Sequence, residues 1–189
     1  MADVTHLAAS QAGIRRRVAS IGVGQWGLPT PCTDWSVKDL VVHMIEGSRM
    51  AILLLQGASA QESRSVFGGA HGPDLVAELD VALADELAAF DAPGAFEMVV
   101  HHPAAGDVPG FTVYQFRTSD YLLHSWDVAR ATGGDESLDE SLVLLTWESM
   151  LPMASFIADI GMFGSGPSGT VAEDAALQLR LLDLTGRRP

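Results

Sequence analysis

The stretch from Thr112 to Ala131 constrains the fold more than any other part of this chain. Its apolar residues recur at helical spacing: Val113, Phe116, Leu123, Val128 and Ala131 fall within about a quarter turn of one line at about 100° per residue. Asp120 and His124 lie on that side, four residues apart, and Asp127 joins them. A spacing of four stacks two side chains on one face, roughly 6 Å apart at Cβ. An ionisable group on a core-facing stripe is costly unless it is paired or bound to a metal. This helix carries three of them.

Further segments carry the same periodicity. The first spans about 3–21, with Val4, Leu7, Ala8, Ile14, Val18 and Ile21 near one face. The second, about 37–56, opens on Ser36, with Asp39 completing a carboxylate form of the capping box, and Gly57 lies just past its end. The third, about 73–91, has Pro73 in its first turn and Pro93-Gly94 beyond its end. The Thr112 segment stops at Gly133-Gly134. A fifth helix follows a Ser137/Glu140 capping box and runs to about 160, kinked at Pro152, and a last one, about 171–185, starts from Thr170 and Glu173 and ends at Gly186. Between the third and fourth lies a loop of about twenty residues, 92–111, in which Phe96 to Val100 can form a short strand. Loops this long in a compact domain are often functional. Residues 58–72 form a Gly/Ser-rich connector. With no convincing strand ladder, the chain is predicted to be all-α, an antiparallel four-helix bundle with accessory helices and a long loop, as a single domain over 1–189.

A net charge of −13 argues against nucleic acid and against anionic membrane surfaces, which need clustered Lys or Arg. The one basic run, Arg15-Arg16-Arg17, reads as a turn of a solvated helix face. No apolar run approaches the ~18 residues of a membrane span, and the first residues show no basic stretch followed by an apolar run. The single cysteine, Cys32, excludes an internal disulfide framework and a Cys-rich zinc site, and fits a cytoplasmic location. With no base or cation nearby in sequence, Cys32 reads as a small packing residue at a turn.

A carboxylate and an imidazole held at i, i+4 can grip one divalent metal ion, or simply form a local hydrogen bond. His43 sits in the second helix at the edge of the apolar arc, near Leu40, Gly47 and Met50. It reads either as a hydrogen-bonded core histidine or as a ligand pointing along the bundle interior. Together the two features make a set of two histidines and one carboxylate, which leaves coordination positions open as catalytic sites do. Asp127 reads as a salt-bridge partner to an arginine such as Arg130, as a helix–helix hydrogen-bond partner, or as support for a ligating histidine. His101 and His102 read as solvated loop residues or as residues at a pocket mouth, His71 and His6 show no partner pattern, and Trp35, Trp126 and Trp147 read as core or pocket wall. There is no phosphate-binding glycine loop and no nucleophile elbow.

The stretch Thr30-Pro31-Cys32-Thr33-Asp34-Trp35-Ser36-Val37-Lys38-Asp39-Leu40-Val41-Val42-His43 resembles the "TPC-x-x-W-(S/T)-V-x-D-L-x-x-H" opening of the actinobacterial branch of the DinB-like superfamily, which includes mycothiol-dependent maleylpyruvate isomerase. His124-Ser125-Trp126-Asp127-Val128-Ala129-Arg130-Ala131-Thr132-Gly133 is similar to its second motif, and Leu181 to Arg187 to its closing one. The resemblance implies a DinB-like four-helix bundle whose divalent metal, usually zinc with nickel or iron as other candidates, is held by His43, Asp120 and His124. The isomerase has Glu where this chain has Asp120, one methylene shorter, and carries an additional C-terminal domain. The implied activity is a metal-dependent S-transferase or thiol-assisted isomerase, with mycothiol as cosubstrate and a small electrophile as substrate. Arg49, Arg117 and Arg130 are the candidates for holding an acidic substrate. The same metal site also permits a hydrolase using activated water, or a non-enzymatic metal-binding or stress-response bundle. Apolar helix surfaces and the family make a homodimer an expected assembly.

Overall fold

The computed structural model describes residues 3–154 and 166–189. Its elements in chain order are α1 (Thr5–Ala19), α2 (Val37–Leu55), the short α3 (Ala60–Arg64), α4 (Leu75–Asp91), β1 (Val99–His102), β2 (Gly106–Pro109), α5 (Gly110–Thr132), α6 (Glu140–Met150) and α7 (Leu177–Leu184). The all-α bundle with accessory helices and a long loop is the architecture found, with a two-stranded hairpin added. No helix among the described residues is long and apolar enough to cross a membrane.

Helices α1, α2, α4 and α5 form the four-helix core. Leu7, Ile14 and Val18 meet Leu40, Met44 and Ile45, Leu79, Leu83 and Phe90, and Val113, Tyr121 and Val128 there. A second apolar cluster lies against α5, where Leu122, Leu123 and Trp126 pack with Leu142 and Val143 of α6 and Leu181 and Leu182 of α7. Each fully buried side chain of this size stabilises the fold by about 1.5–3 kcal/mol. Helix α5 therefore lacks the single apolar stripe expected of a surface helix. Tyr121 through Ala129 are buried without a break, because the bundle covers one side and α6 with α7 cover the other. A helix enclosed all round is a core helix, and its polar residues have to find partners inside the protein.

Several boundaries follow local chemistry as expected. Ser36 accepts the Asp39 amide while the Asp39 carboxylate takes the Ser36 amide, so the α2 capping box is complete. Gly133 closes α5 at φ +72, a conformation that costs glycine little. Other boundaries differ. Helix α4 starts at Leu75, capped by Asp74, and leaves Pro73 outside. Helix α6 is capped by Asp139, whose carboxylate takes the Ser141 and Leu142 amides, and not by Ser137, which turns back to Asp135. It ends at Met150 in a 3₁₀ turn, Leu151–Met153, containing Pro152. Proline lacks the amide that would continue the α-ladder. The rest of the fifth predicted helix, up to about 160, falls largely outside the described residues. Helix α7 begins only at Leu177, since Thr170 and Ser168 bond to each other and hold a turn in place of a cap.

The long loop holds an antiparallel hairpin that pairs Val100 with Val108 and His102 with Gly106. Its first strand is shifted from the Phe96–Val100 expectation by the downstream pairing. The Phe111 amide donates to Phe96 O at 3.0 Å and the Gly110 amide to Met98 O at 2.8 Å, so residues 96–98 pair with the start of α5. The 58–72 connector includes α3, which opens on its own Ser59/Glu62 capping box.

One glycine sets the spacing of α2 and α5. A Cβ built at Gly47 would collide with the Arg117 guanidinium. Gly47→Ala should therefore destabilise the fold by about 1–3 kcal/mol, the range for overpacking a core, despite the higher helix propensity of alanine. Chemical denaturation measures this, and a variant as stable as the parent would show that the close approach is unimportant.

Candidate metal centre

Helix α2 supplies His43, and α5 supplies Asp120 and His124. One ligand atom from each of the three lies within 4.8 Å of the others. His124 Nε2 is 3.0 Å from Asp120 Oδ1, His43 Nε2 is 3.5 Å from Asp120 Oδ2, and the imidazole centroids are 5.2 Å apart, nearly perpendicular. The His43 and Asp120 side chains are 27% and 25% exposed, whereas that of His124 is 8% exposed. The cluster thus opens to solvent on the His43 side and is rooted in the core on the other. Two borderline imidazole nitrogens with one hard carboxylate oxygen suit zinc, nickel or iron, and three donors leave room for a further ligand.

The second nitrogen of His124 is fixed from behind. Nδ1 lies 2.9 Å from Asp127 Oδ2, and Asp127 is fully buried. Arg187 Nη2 and Nε donate to Asp127 Oδ2 and Oδ1 at 2.7 and 3.2 Å. The arginine partner of Asp127 is thus Arg187 and not Arg130, which pairs with Glu136 at 3.0 Å. The Asp127 contact to His124 Nδ1 leaves Nε2 free to face Asp120.

The segment before α2 packs against both histidines. Thr30 Oγ1 accepts the Cys32 amide and donates to Trp35 O, the Trp35 amide donates to Cys32 O, and Asp34 takes a left-handed φ of +69. Aspartate tolerates that region better than most residues. The turn lays the Trp35 ring 4.6 Å from His43 and 6.1 Å from His124. It also puts Cys32 Sγ 3.4 Å from Asp127 Oδ2 and 3.9 Å from His124 Nδ1. The expectation that Cys32 has no base nearby is corrected: its neighbours come from α5, about ninety residues later. Cys32, His124 and Asp127 also meet the distance condition for a metal, but both Asp127 oxygens already hold the Arg187 guanidinium. Asp120, by contrast, gives only Oδ2 to a guanidinium and keeps Oδ1 clear of one, which favours the His43 cluster as the cation site.

Asp120 is held from the opposite side. Arg117 Nη1 donates to Oδ2 at 2.6 Å, leaving Oδ1 without a guanidinium partner. Arg117 Nε donates to Glu86 Oε1 at 2.9 Å, Nη2 reaches Met44 O at 3.2 Å, and the guanidinium lies 4.5 Å over the Tyr121 ring. Tyr121 and Gln11 donate to Glu86 Oε2 at 2.6 and 2.9 Å. Every arginine considered for an acidic substrate is thus engaged internally: Arg117 here, Arg49 with Glu78 at 2.7 Å, and Arg130 with Glu136. His71, without a pattern in sequence, bridges Glu78 and Glu46 at 3.0 and 3.4 Å. His101 is exposed and pairs with Asp107, while His102 accepts the Ala104 and Ala105 amides in the hairpin turn. Trp126 is core. Surface clefts of about 270 and 370 Å³ are lined by residues such as Phe111 and Tyr114, and Ile52 and Val81, and neither includes His43, Asp120 or His124.

Burial opposes charge on Asp120, but His124, His43 and Arg117 outweigh it and hold the carboxyl well below its ordinary range. Burial likewise opposes charge on His124, and Asp120 with Asp127 overcomes it, raising the imidazole well above 6.5. Without a bound cation, the His124 contribution to stability is complete below the unfolded value of about 6.5 and is lost as pH rises through the higher folded value. The Asp120 contribution is complete above about 4 and is lost as pH falls through its depressed folded value, so both are full between about pH 4 and 6.5. After chelator treatment, the unfolding free energy of the parent relative to His124→Gln should be flat across that window and shrink above about pH 7. A cation must displace the same proton, so zinc affinity should climb with pH over the alkaline limb. A gap that widens above pH 7, or a pH-independent affinity, would contradict this electrostatic picture.

Residues 7–129, which include all three donors, match the family model described as the mycothiol maleylpyruvate isomerase N-terminal domain. Two uncharacterized proteins of Mycobacterium tuberculosis are each 34% identical over 128 residues, covering 67% of this chain. The match spans 65% of the length of each relative. The fold is similar to the crystal structure of the mycothiol-dependent maleylpyruvate isomerase, with a TM-score of 0.63 at 15% identity over 82% of this chain and 68% of that one. A histidine-to-alanine mutant of that enzyme matches with the same score over 87% of this chain and 72% of its own. The chain belongs to the mycothiol maleylpyruvate isomerase N-terminal domain family, within the DinB-like superfamily.

Proposed function

We propose that this protein is a divalent-cation-dependent enzyme of thiol chemistry that joins a low-molecular-weight thiol, mycothiol, to a small electrophile or uses it to isomerise one. The observation that carries this reading is the convergence of His43, Asp120 and His124 on one point, open to solvent at one end and anchored in the core at the other. His43, Asp120 and His124 would hold the cation, zinc first among the candidates. Bound there, the cation supplies a lowered thiol pKa, so that the thiolate is available near neutral pH. The chain's own residues do the rest. Asp127 holds His124 Nδ1, Arg117 holds Asp120 Oδ2, and Trp35 walls the site beside both imidazoles. In transfer, the sulfur–carbon bond forms as the leaving group departs. In isomerisation, the same thiol adds and is expelled again. A thiol cosubstrate and a single cysteine fit a cytoplasmic setting.

Purified protein is expected to carry close to one equivalent of divalent metal by elemental analysis, and His43→Ala to lose most of it. Thiol-dependent turnover of a model electrophile should fall about 100-fold or more after chelation and return on reloading. Full turnover by metal-free protein would overturn the reading. Turnover that needs the metal but no thiol would replace it with a hydrolase. No metal in the parent, with stability unchanged on loading, would replace it with a non-enzymatic bundle.

A further inference from the structure

Arg187 lies just beyond α7, yet it is 7% exposed. Its backbone is pinned there, because its amide donates to Leu182 O at 2.8 Å and Thr185 Oγ1 donates to Leu181 O at 2.9 Å. Its side chain turns inward. Nη1 donates to Thr185 O at 2.9 Å, and Nη2 and Nε grip both oxygens of Asp127. The Oδ2 that receives Nη2 is the same atom that faces His124 Nδ1 at 2.9 Å. On the far side of the ring, Nε2 faces Asp120 Oδ1 at 3.0 Å. A continuous chain of contacts therefore runs from the segment after α7, through α5, to the centre where the three donors meet.

We infer that Arg187 is a positioning residue for the cation site. By fixing both oxygens of Asp127, it fixes the acceptor for His124 Nδ1–H, and so sets the ring plane and the tautomer that aims Nε2 at His43 and Asp120. Asp127 and His124 are three residues apart on one helix, and that contact alone leaves the carboxylate free to turn about its own side-chain bonds. Two parallel N–H donors from a planar guanidinium remove that freedom, which a single ammonium cannot do. Without Arg187, Asp127 loses the two donors that fix its oxygens and is free to turn about its side-chain bonds. That turning weakens the hold on His124. The consequence for cation affinity rests on the metal reading above, whereas the orientation of the His124 ring does not.

The test compares the full chain with Arg187→Met, Arg187→Lys, Asp127→Asn and the Asp127→Asn/Arg187→Met double variant by two readouts. The first is zinc affinity, from competition with a chromophoric chelator. The second is the ring N–H resonances of the histidines without metal, with His124 assigned by its loss in His124→Gln. Arg187→Met should weaken zinc binding about 10–100-fold, the range for losing outer support of a ligand, and should shift or erase the His124 Nδ1–H resonance. Arg187→Lys should do likewise despite keeping the charge. The double variant should lose no more affinity than the worse single one, because the two residues act as one unit. Additive losses, or parental affinity together with an unmoved ring signal in Arg187→Met, would overturn the inference. If Arg187→Met does not fold, Arg187→Lys is judged by the same two readouts. If the parent binds no zinc, the metal reading falls, while the ring resonance still decides whether Arg187 orients His124.

Discussion

The buried Arg117 guanidinium ties the four core helices together at one level. It holds Glu86 of α4, the Met44 carbonyl of α2 and Asp120 of its own helix, and Glu86 in turn receives Gln11 of α1 and Tyr121 of α5. Ser48 of α2 closes the group by its contact with the Tyr121 hydroxyl at 2.6 Å. Burying two opposite charges costs desolvation energy that their attraction recovers only when the remaining donors and acceptors are satisfied. Here the partners come from all four helices, so the network accepts one relative placement of α1, α2, α4 and α5. That placement is also the one that brings His43 to Asp120 and His124.

The donors sit at the seam between two differently built supports. On the bundle side, Arg117 constrains Asp120. On the side of α6 and α7, Asp127 and Arg187 constrain His124. His43 is the least confined of the three, a quarter exposed and flanked by Trp35 from the turn before α2. The order of confinement matches the division of labour in a ligand set with an open position, where the rigid members fix the geometry and the outermost borders the entering molecule. Enclosure of the Tyr121–Ala129 stretch of α5 makes this possible, since a stretch with one wet face could not receive charged partners from both sides.

Much of this was legible in local spacing. The i, i+4 relation of Asp120 and His124, the edge position of His43 and the Ser36 capping box each concern residues within about one helical turn, where backbone geometry alone decides which side chains meet. The helical segments were legible for the same reason. What escaped depends on contacts between distant parts of the chain. Cys32 meets Asp127, Gln11 meets Glu86 and Arg187 meets Asp127 across long stretches of sequence, and nothing in the spacing of either partner announces the other. Arg117 was a partial exception. It lies three residues before Asp120 on the same stripe, so an ion pair between them was readable, though its reach to Glu86 was not. The misplaced starts of α6 and α7 share one cause: short polar side chains offered several local hydrogen bonds, and the neighbours that chose among them lie elsewhere.

The bare backbone at Gly47 works like a keyway cut into α2, through which the Arg117 head group passes to reach both Met44 O and Asp120. Its effect is to index the two rods against each other. If α2 slid or rolled along α5 by a fraction of a turn, a neighbouring side chain would come round into the slot and jam against the guanidinium before His43 could drift out of line. The mutual alignment of the donors is thereby enforced by a missing side chain, one helical turn away from the residues that it keeps in step.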